Sequence, residues 1–215
     1  MKKIIIFLLT SMFFIGQASA IGLNVGIAGT AGVFHGTGEE NENGEISSED
    51  AAGAVTYASI FVEVPLNDKI SFGVDYVPTS LESDTAESVV TDKTTSDSSS
   101  NATQKVQIDF NDLTTAYVML NLTEGLFVKA GVVTVDVATN ESLGTGSSYA
   151  DTDLSGSVLG VGYTGEVGGN GAFVRVEANY LDLGGATVTA SNTDNKVTLS
   201  DVQGLTAKVA IGKSF

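Results

Sequence analysis

Apolar and polar residues alternate along much of this chain with a period of two. Over Lys69–Tyr76, one face carries Ile70, Phe72, Val74 and Tyr76, and the other Lys69, Ser71, Gly73 and Asp75. Over Phe173–Tyr180, Val174, Val176, Ala178 and Tyr180 oppose Arg175, Glu177 and Asn179. Over Val158–Val167, Leu159, Val161, Tyr163 and Val167 oppose Gly160, Gly162, Thr164 and Glu166. Over Leu205–Phe215, Leu205, Ala207, Val209, Ile211 and Phe215 oppose Thr206, Lys208, Ala210, Gly212 and Ser214. Period two is the signature of a strand whose two faces meet different surroundings. Four further strands are predicted at about 21–35, 53–65, 106–121 and 126–137. In 53–65, Tyr57, Ser59 and Glu63 share a face with Phe61; in 126–137, Lys129 and Gly131 share one with Phe127 and Val133. These are strands with mixed interiors, or strands whose register slips at a bulge.

The links between the eight strands alternate long and short. Leu66-Asn67-Asp68, Thr123-Glu124-Gly125 and Gly168–Gly171 are short. The long links, about 36–52, 81–105, 138–153 and 185–201, are rich in Ser, Thr, Asp, Glu, Asn and Gly. An up-and-down barrel in an outer membrane has short turns on one side and long loops on the other. Greek-key links would break that rhythm.

The start of the chain carries a different pattern. Lys2 and Lys3 precede an apolar run, Ile4–Ile15, and Ala18-Ser19-Ala20 follows. This reads as a secretory signal peptide over 1–20, cleaved after Ala20. No later stretch approaches the 18 apolar residues of a spanning helix, so a membrane is crossed by strands or not at all. The expected domain is a single barrel over 21–215.

Composition narrows the chemistry. The 215 residues include 26 acidic and 10 basic side chains, one His and no Cys. Disulfides and thiolate metal sites are excluded. A net charge of -16, or -18 once Lys2 and Lys3 are removed, repels nucleic acid.

The last residues, Val209-Ala210-Ile211-Gly212-Lys213-Ser214-Phe215, resemble the ending of small eight-stranded outer-membrane barrels. That family includes the transmembrane domain of outer membrane protein A, outer membrane protein X and the opacity-type surface proteins. The resemblance is architectural and spans residues 21–215. It implies an all-β, eight-stranded antiparallel up-and-down transmembrane barrel with both termini periplasmic. It also implies that Val209, Ile211 and Phe215 form the signal read by the barrel-assembly machinery. Lys213 departs from the family pattern, where an aromatic or apolar residue is usual, but lysine at a strand end snorkels. The implied location is the outer membrane of a Gram-negative bacterium. The implied partners are its lipid and lipopolysaccharide, and the implied state is a monomer without cofactor.

Three features are candidate sites. Glu63, Asp75, Lys129, Glu166, Arg175, Glu177 and Lys208 are expected inside the barrel, where buried charges must pair. A lumen plugged by them makes a structural or surface protein without catalysis. A switchable pairing makes a narrow pore or passive route for small solutes. Glu39, Asn41, Asn43 and Asp50 partly match the spacing of a calcium loop, which leaves weak divalent-cation binding as one use of the acidic loops. Adhesin-like binding through those loops is another. Gly160–Gly165 matches GxGxxG, but no helix can open at Glu166–Gly171, so a strand with inward glycines is expected. His35, the single histidine, is expected at an exposed rim.

Overall fold

The computed structural model describes residues 22–42, 45–83, 85–95, 98–142 and 147–215; the signal segment lies outside them. Their regular structure is all β. In chain order the strands are β1 (Asn24–Glu42), β2 (Glu45–Pro65), β3 (Ile70–Tyr76), β4 (Leu81–Glu82), β5 (Ala86–Thr95), β6 (Ser98–Asn121), β7 (Leu126–Ser142), β8 (Thr152–Glu166), β9 (Ala172–Leu183), β10 (Ala186–Thr189) and β11 (Lys196–Ser214). Eight of them close a ring, β1-β2-β3-β6-β7-β8-β9-β11, with β11 pairing back onto β1. β4 and β5 add to β6 and β10 adds to β11 beyond the ring.

The register fixes the barrel's shape. Asn24 pairs with Glu63, then the path runs through Gly73, Tyr117, Gly131, Val158, Leu181 and Gly204 to Phe34. One circuit therefore climbs from position 24 to position 34, a shear of ten residues. Eight strands with that stagger tilt by about 40° and leave a lumen that side chains fill.

Short turns close one end. At the first, Asn67 Oδ1 accepts from the backbone N–H groups of Lys69 and Ile70, both at 2.9 Å. At the other end the strands continue well into the segments predicted as long links. β1 and β2 stay paired from Asn24–Glu63 out to Glu42–Glu45, and β5 pairs with β6 across 86–106. Ser, Thr and Asn suit a solvated hairpin as well as a loop, so composition alone placed the strand ends too early.

The mixed faces of 53–65 and 126–137 are real interiors, since β1–β2 and β7–β8 pair without a register shift. The ring's bulges lie elsewhere. One separates Asn111 from Thr114 on β6; the other falls where β1 and β11 pair, beside His35 and Thr37. Asp112 (φ 53°) and Asp201 (φ 52°) adopt the left-handed conformation there. Each extra residue flips the alternation, so Thr115 and Tyr117 point inward below the β6 bulge and Phe110 and Ile108 turn toward the apolar core above it.

The wall's polarity inverts along the barrel axis. Towards the short turns, β9 turns Val174, Val176 and Tyr180 outward and buries Arg175, Glu177 and Asn179. Two residues on, Asp182 faces outward while Leu181 and Leu183 are buried. β7 does the same, with Val128 and Val132 exposed lower down and Val133, Val135 and Val137 buried above. An apolar belt around a polar lumen is a wall for lipid; a polar surface around an apolar core is a wall for water.

Beyond Ile60–Tyr76, β2 and the chain that follows β3 part company. Val77 donates to Leu113 O at 3.0 Å, and β4 and β5 pair with β6. Among the described residues, no ladder covers the outer edge of β2 from Glu45 to Ser59. The ring is complete near the short turns and carries a lateral seam towards the long-loop end.

Candidate functional site

Three acidic and three basic side chains meet inside the complete part of the ring. Glu63, Asp75, Lys129, Arg175, Glu177 and Lys208 are 0–8 % exposed. They arrive from β2, β3, β7, β9 and β11 because each sits at an inward position of its period-two strand. Formal charges sum to zero.

Arg175 is the hub. Its Nη1 and Nη2 donate to Glu63 Oε1 and Oε2 at 2.5 and 2.8 Å, a two-pronged pair. Its Nε donates to Thr164 Oγ1 at 3.1 Å, and Nη1 lies 3.7 Å from Glu177 Oε1. The Tyr117 hydroxyl donates to Glu63 Oε1 at 2.7 Å, and Asn24 Nδ2 to Oε2 at 3.4 Å. Lys129 Nζ donates to Glu177 Oε2, and Lys208 Nζ to Asp75 Oδ2.

Aromatic rings enclose this network. The Arg175 guanidinium carbon lies 5.4, 5.2 and 5.2 Å from the ring centroids of Phe61, Phe127 and Phe173. Lys129 Nζ lies 4.8 Å from that of Tyr117. A desolvated cation over a ring face gains about 2 kcal/mol. Room for the rings comes from glycines directly across the ladder. Phe61 faces Gly26, Phe127 faces Gly162, Phe173 faces Gly212 and Tyr117 faces Gly73. A methyl group added at Gly26, Gly162, Gly212 or Gly73 would lie 2.3–2.4 Å from a ring carbon. Thus the GxGxxG match belongs to a barrel strand, with Gly162 under an aromatic ring.

Glu166, predicted with the cluster, stands apart from it. It pairs with Phe173 at the end of β8 but is exposed, because the lumen there opens at the short-turn mouth. His35 is exposed on the outer face of β1. Glu39 and Asn41 lie opposite Ser48 and Ile46 on an extended hairpin, and Asp50 Oδ1 accepts from Thr37 Oγ1 at 2.7 Å. A calcium loop must curl round its ion, which paired extended strands do not do. Asn43 lies outside the described residues, and among those described no group of three or more acidic or His side chains is arranged to hold a metal.

At the chain's end, Val209 and Ile211 face outward at 56 and 61 % exposure, and Phe215 at 70 %. The Phe215 N–H donates to Leu23 O at 2.8 Å, stitching the last residue to the one that precedes β1. Lys213 Nζ lies 5.2 Å from the Phe215 ring centroid. An apolar outward face ending in an aromatic residue suits the lipid boundary.

The sequence pattern set Phe61 and Phe127 on the faces of Glu63 and Lys129, but did not point to Tyr117, to Phe173 or to the layer above the cluster. There Val77, Leu113, Val133, Val135, Val137, Leu154, Val158, Leu181 and Leu183 form a core that caps the ionic network.

Among solved structures, the outer membrane protein AlkL, determined in DMPC bilayers, is similar over 94% of this chain and 95% of its own, at 14% identity and a TM-score of 0.50. The chain folds as a small eight-stranded outer-membrane β-barrel. Neisserial surface protein A is similar over 88% of this chain and 97% of its own, at 15% identity and a TM-score of 0.38. Ail, the attachment invasion locus protein of Yersinia pestis, is similar over 88% and 99%, at 11% identity and a TM-score of 0.37. No protein-family model and no curated protein matches the sequence. The outward face of the ring carries an exposed apolar belt that includes Ile27, Val132, Leu159, Val176 and Val209, a surface suited to lipid.

Proposed function

We propose that this chain is a non-catalytic surface protein of a Gram-negative outer membrane, exported by a cleaved signal peptide and closed to axial passage. The observation that carries the reading is the neutral, fully buried network centred on Arg175 and Glu63. It spans the lumen, and every formal charge in it has an opposite partner. The apolar layer beyond it is a second barrier, since ions do not enter an apolar core. The test is swelling of liposomes that carry the folded protein. The reading expects sugars to be excluded as by empty liposomes, and sugar-driven swelling would contradict it.

On this reading the protein is monomeric and needs no cofactor. The barrel-assembly machinery reads Val209, Ile211 and Phe215. The exposed acidic residues Glu39, Glu40, Asp50, Asp153 and Asp182 face the lipopolysaccharide layer and contact it through divalent cations.

One observation favours a second reading. The edge of β2 is unpaired from Glu45 to Ser59 among the described residues, above the ionic seal and next to the apolar layer, and a small solute that entered by parting this edge would avoid the charges. A fluorescent apolar dye that gains emission with the folded barrel, and loses it when Leu181→Asp places a charge in that layer, would support this route. No gain with the wild type would remove it.

A further inference from the structure

The free edge of β2 has a defined hydrogen-bonding pattern. The Leu66 N–H donates to Ile70 O at 2.8 Å, and β2 pairs with β3 from Pro65 back to Ile60 without a register shift. In an antiparallel ladder, alternate residues bond to one neighbour and those between them to the other. The even-numbered residues of β2 therefore turn their N–H and C=O groups towards β3, and the odd-numbered ones towards β1. Past Ile60 the β3 side is empty. Among the described residues, no ladder meets the backbone groups of the even positions from Ala58 back to Ile46.

This edge lacks the devices that keep edges from pairing. Between Ile46 and Ala58 there is no Pro, no Lys and no shift of register against β1. Ala51, Ala52, Gly53 and Ala54 are all exposed, and successive residues face opposite ways. The β1–β2 hairpin thus stands clear of the barrel wall here, and its small side chains leave the backbone open.

Charge selects the partner. Six carboxylates fall between Glu39 and Asp50, and neither β1 nor β2 carries a Lys or Arg. Asp50 pairs with Thr37 and Ser48 with Glu39, so Asp50 and Glu39 share one face, and both are exposed. A second copy of the chain is a poor occupant. It would set the same carboxylates against each other. Two copies upright in one membrane would also meet with their tilted β2 edges parallel and crossed.

We infer that the β2 edge from Ile46 to Ala54 takes an extended cationic segment of another protein as an added antiparallel strand. The segment bonds the free backbone groups of Ser48, Asp50, Ala52 and Ala54. Its Lys or Arg side chains, at alternate positions, lie on the face of Asp50 and Glu39. The inference depends on neither the sealed lumen nor a lateral route. A barrel that conducted yet bound such a segment would overturn the sealed reading and leave this one standing.

The test uses the full chain refolded into lipid nanodiscs and a fluorescent synthetic peptide that alternates Lys with Thr. Its anisotropy should rise along a saturating curve. Hydrogen exchange read by NMR should slow at the Ala52 and Ala54 amides and stay unchanged at Gly53, which already bonds to β1. The same peptide N-methylated on its Lys residues keeps its charge but loses the donors that face β2, and should not bind; nor should a version with Glu in place of Lys. Ala54→Pro removes one edge donor and should weaken binding about tenfold while keeping the heat-modifiable gel shift of a folded barrel. If that variant does not fold, the N-methylated peptide makes the same comparison on the unaltered barrel. Equal binding of the N-methylated peptide would overturn the inference and leave only attraction between charges. Absence of saturation, or equal binding of the Glu version, would also overturn it.

Discussion

Arg175 and Glu63 lie 112 positions apart in the chain and meet inside the barrel through two hydrogen bonds of 2.5 and 2.8 Å. No local pattern brings them together. They meet because β2 and β9 each present period-two strands to the same lumen, at heights fixed by the shear of the closed ring. Removing one partner leaves the other charge buried. Arg175→Ala is therefore expected to destabilise the barrel by about 3–5 kcal/mol, and Glu63→Ala similarly. The double variant should cost less than the sum of the two. Urea unfolding in lipid vesicles checks this, and additive losses would remove the hub role.

The glycine–aromatic pairs yield a second expectation. A methyl group at Gly162 or Gly212 would meet the Phe127 or Phe173 ring at 2.4 or 2.3 Å. Gly162→Ala and Gly212→Ala should each cost about 1–3 kcal/mol through overpacking. Gly29 is exposed on the outer face with no atom within 4 Å of such a methyl group, so Gly29→Ala should fold as the wild type does. Equal unfolding midpoints for all three would contradict the packing described.

The bulge at Asp112 is a backbone device. Its φ of 53° suits Gly, Asn or Asp, and its Oδ1 accepts from the Tyr76 hydroxyl at 2.6 Å. Asp112→Asn should be nearly neutral. Asp112→Val should lose about 1–3 kcal/mol, since a branched side chain resists that conformation. The comparison is again of urea midpoints, and a neutral Val variant would mean the bulge relaxes freely.

The polarity inversion predicts where lipid ends. Leu159 and Ser155 both face outward on β8, four residues apart. Leu159→Lys should cost about 2–4 kcal/mol near the lipid midplane and progressively less towards its edge, while Ser155→Lys should be close to neutral. Depth-dependent quenching of a fluorophore placed at either position by lipid-borne quenchers gives an independent reading. Quenching of both to the same extent would place the boundary elsewhere.

Much of this was legible in the sequence, and the reason is the period of two. Lys69–Tyr76 and Phe173–Tyr180 show their inward and outward faces without any knowledge of partners. Which residues touch was not legible, because contact across a barrel depends on register. Tyr117 and Phe127 read as ordinary aromatic positions until their facing glycines, Gly73 and Gly131 for one and Gly162 for the other, are known from the ladder. Glu166 follows the inward alternation of β8 yet sits outside the network, since alternation gives direction but not height. The apolar cap was hidden for a different reason. Val133-Thr134-Val135-Asp136-Val137 alternates as cleanly as a lipid-facing strand does, and period two alone does not tell inside from outside. Leu181-Asp182-Leu183, directly after an outward Tyr180, was the one sequence cue to the inversion.

The most direct measurement is single-channel conductance of the refolded chain in a planar lipid bilayer, with folding confirmed by the heat-modifiable gel shift. The account predicts a silent barrel, and one that stays silent in a folded Arg175→Ala variant, because the apolar layer above the network still bars ions. Reproducible discrete openings from the wild-type barrel would contradict the sealed lumen.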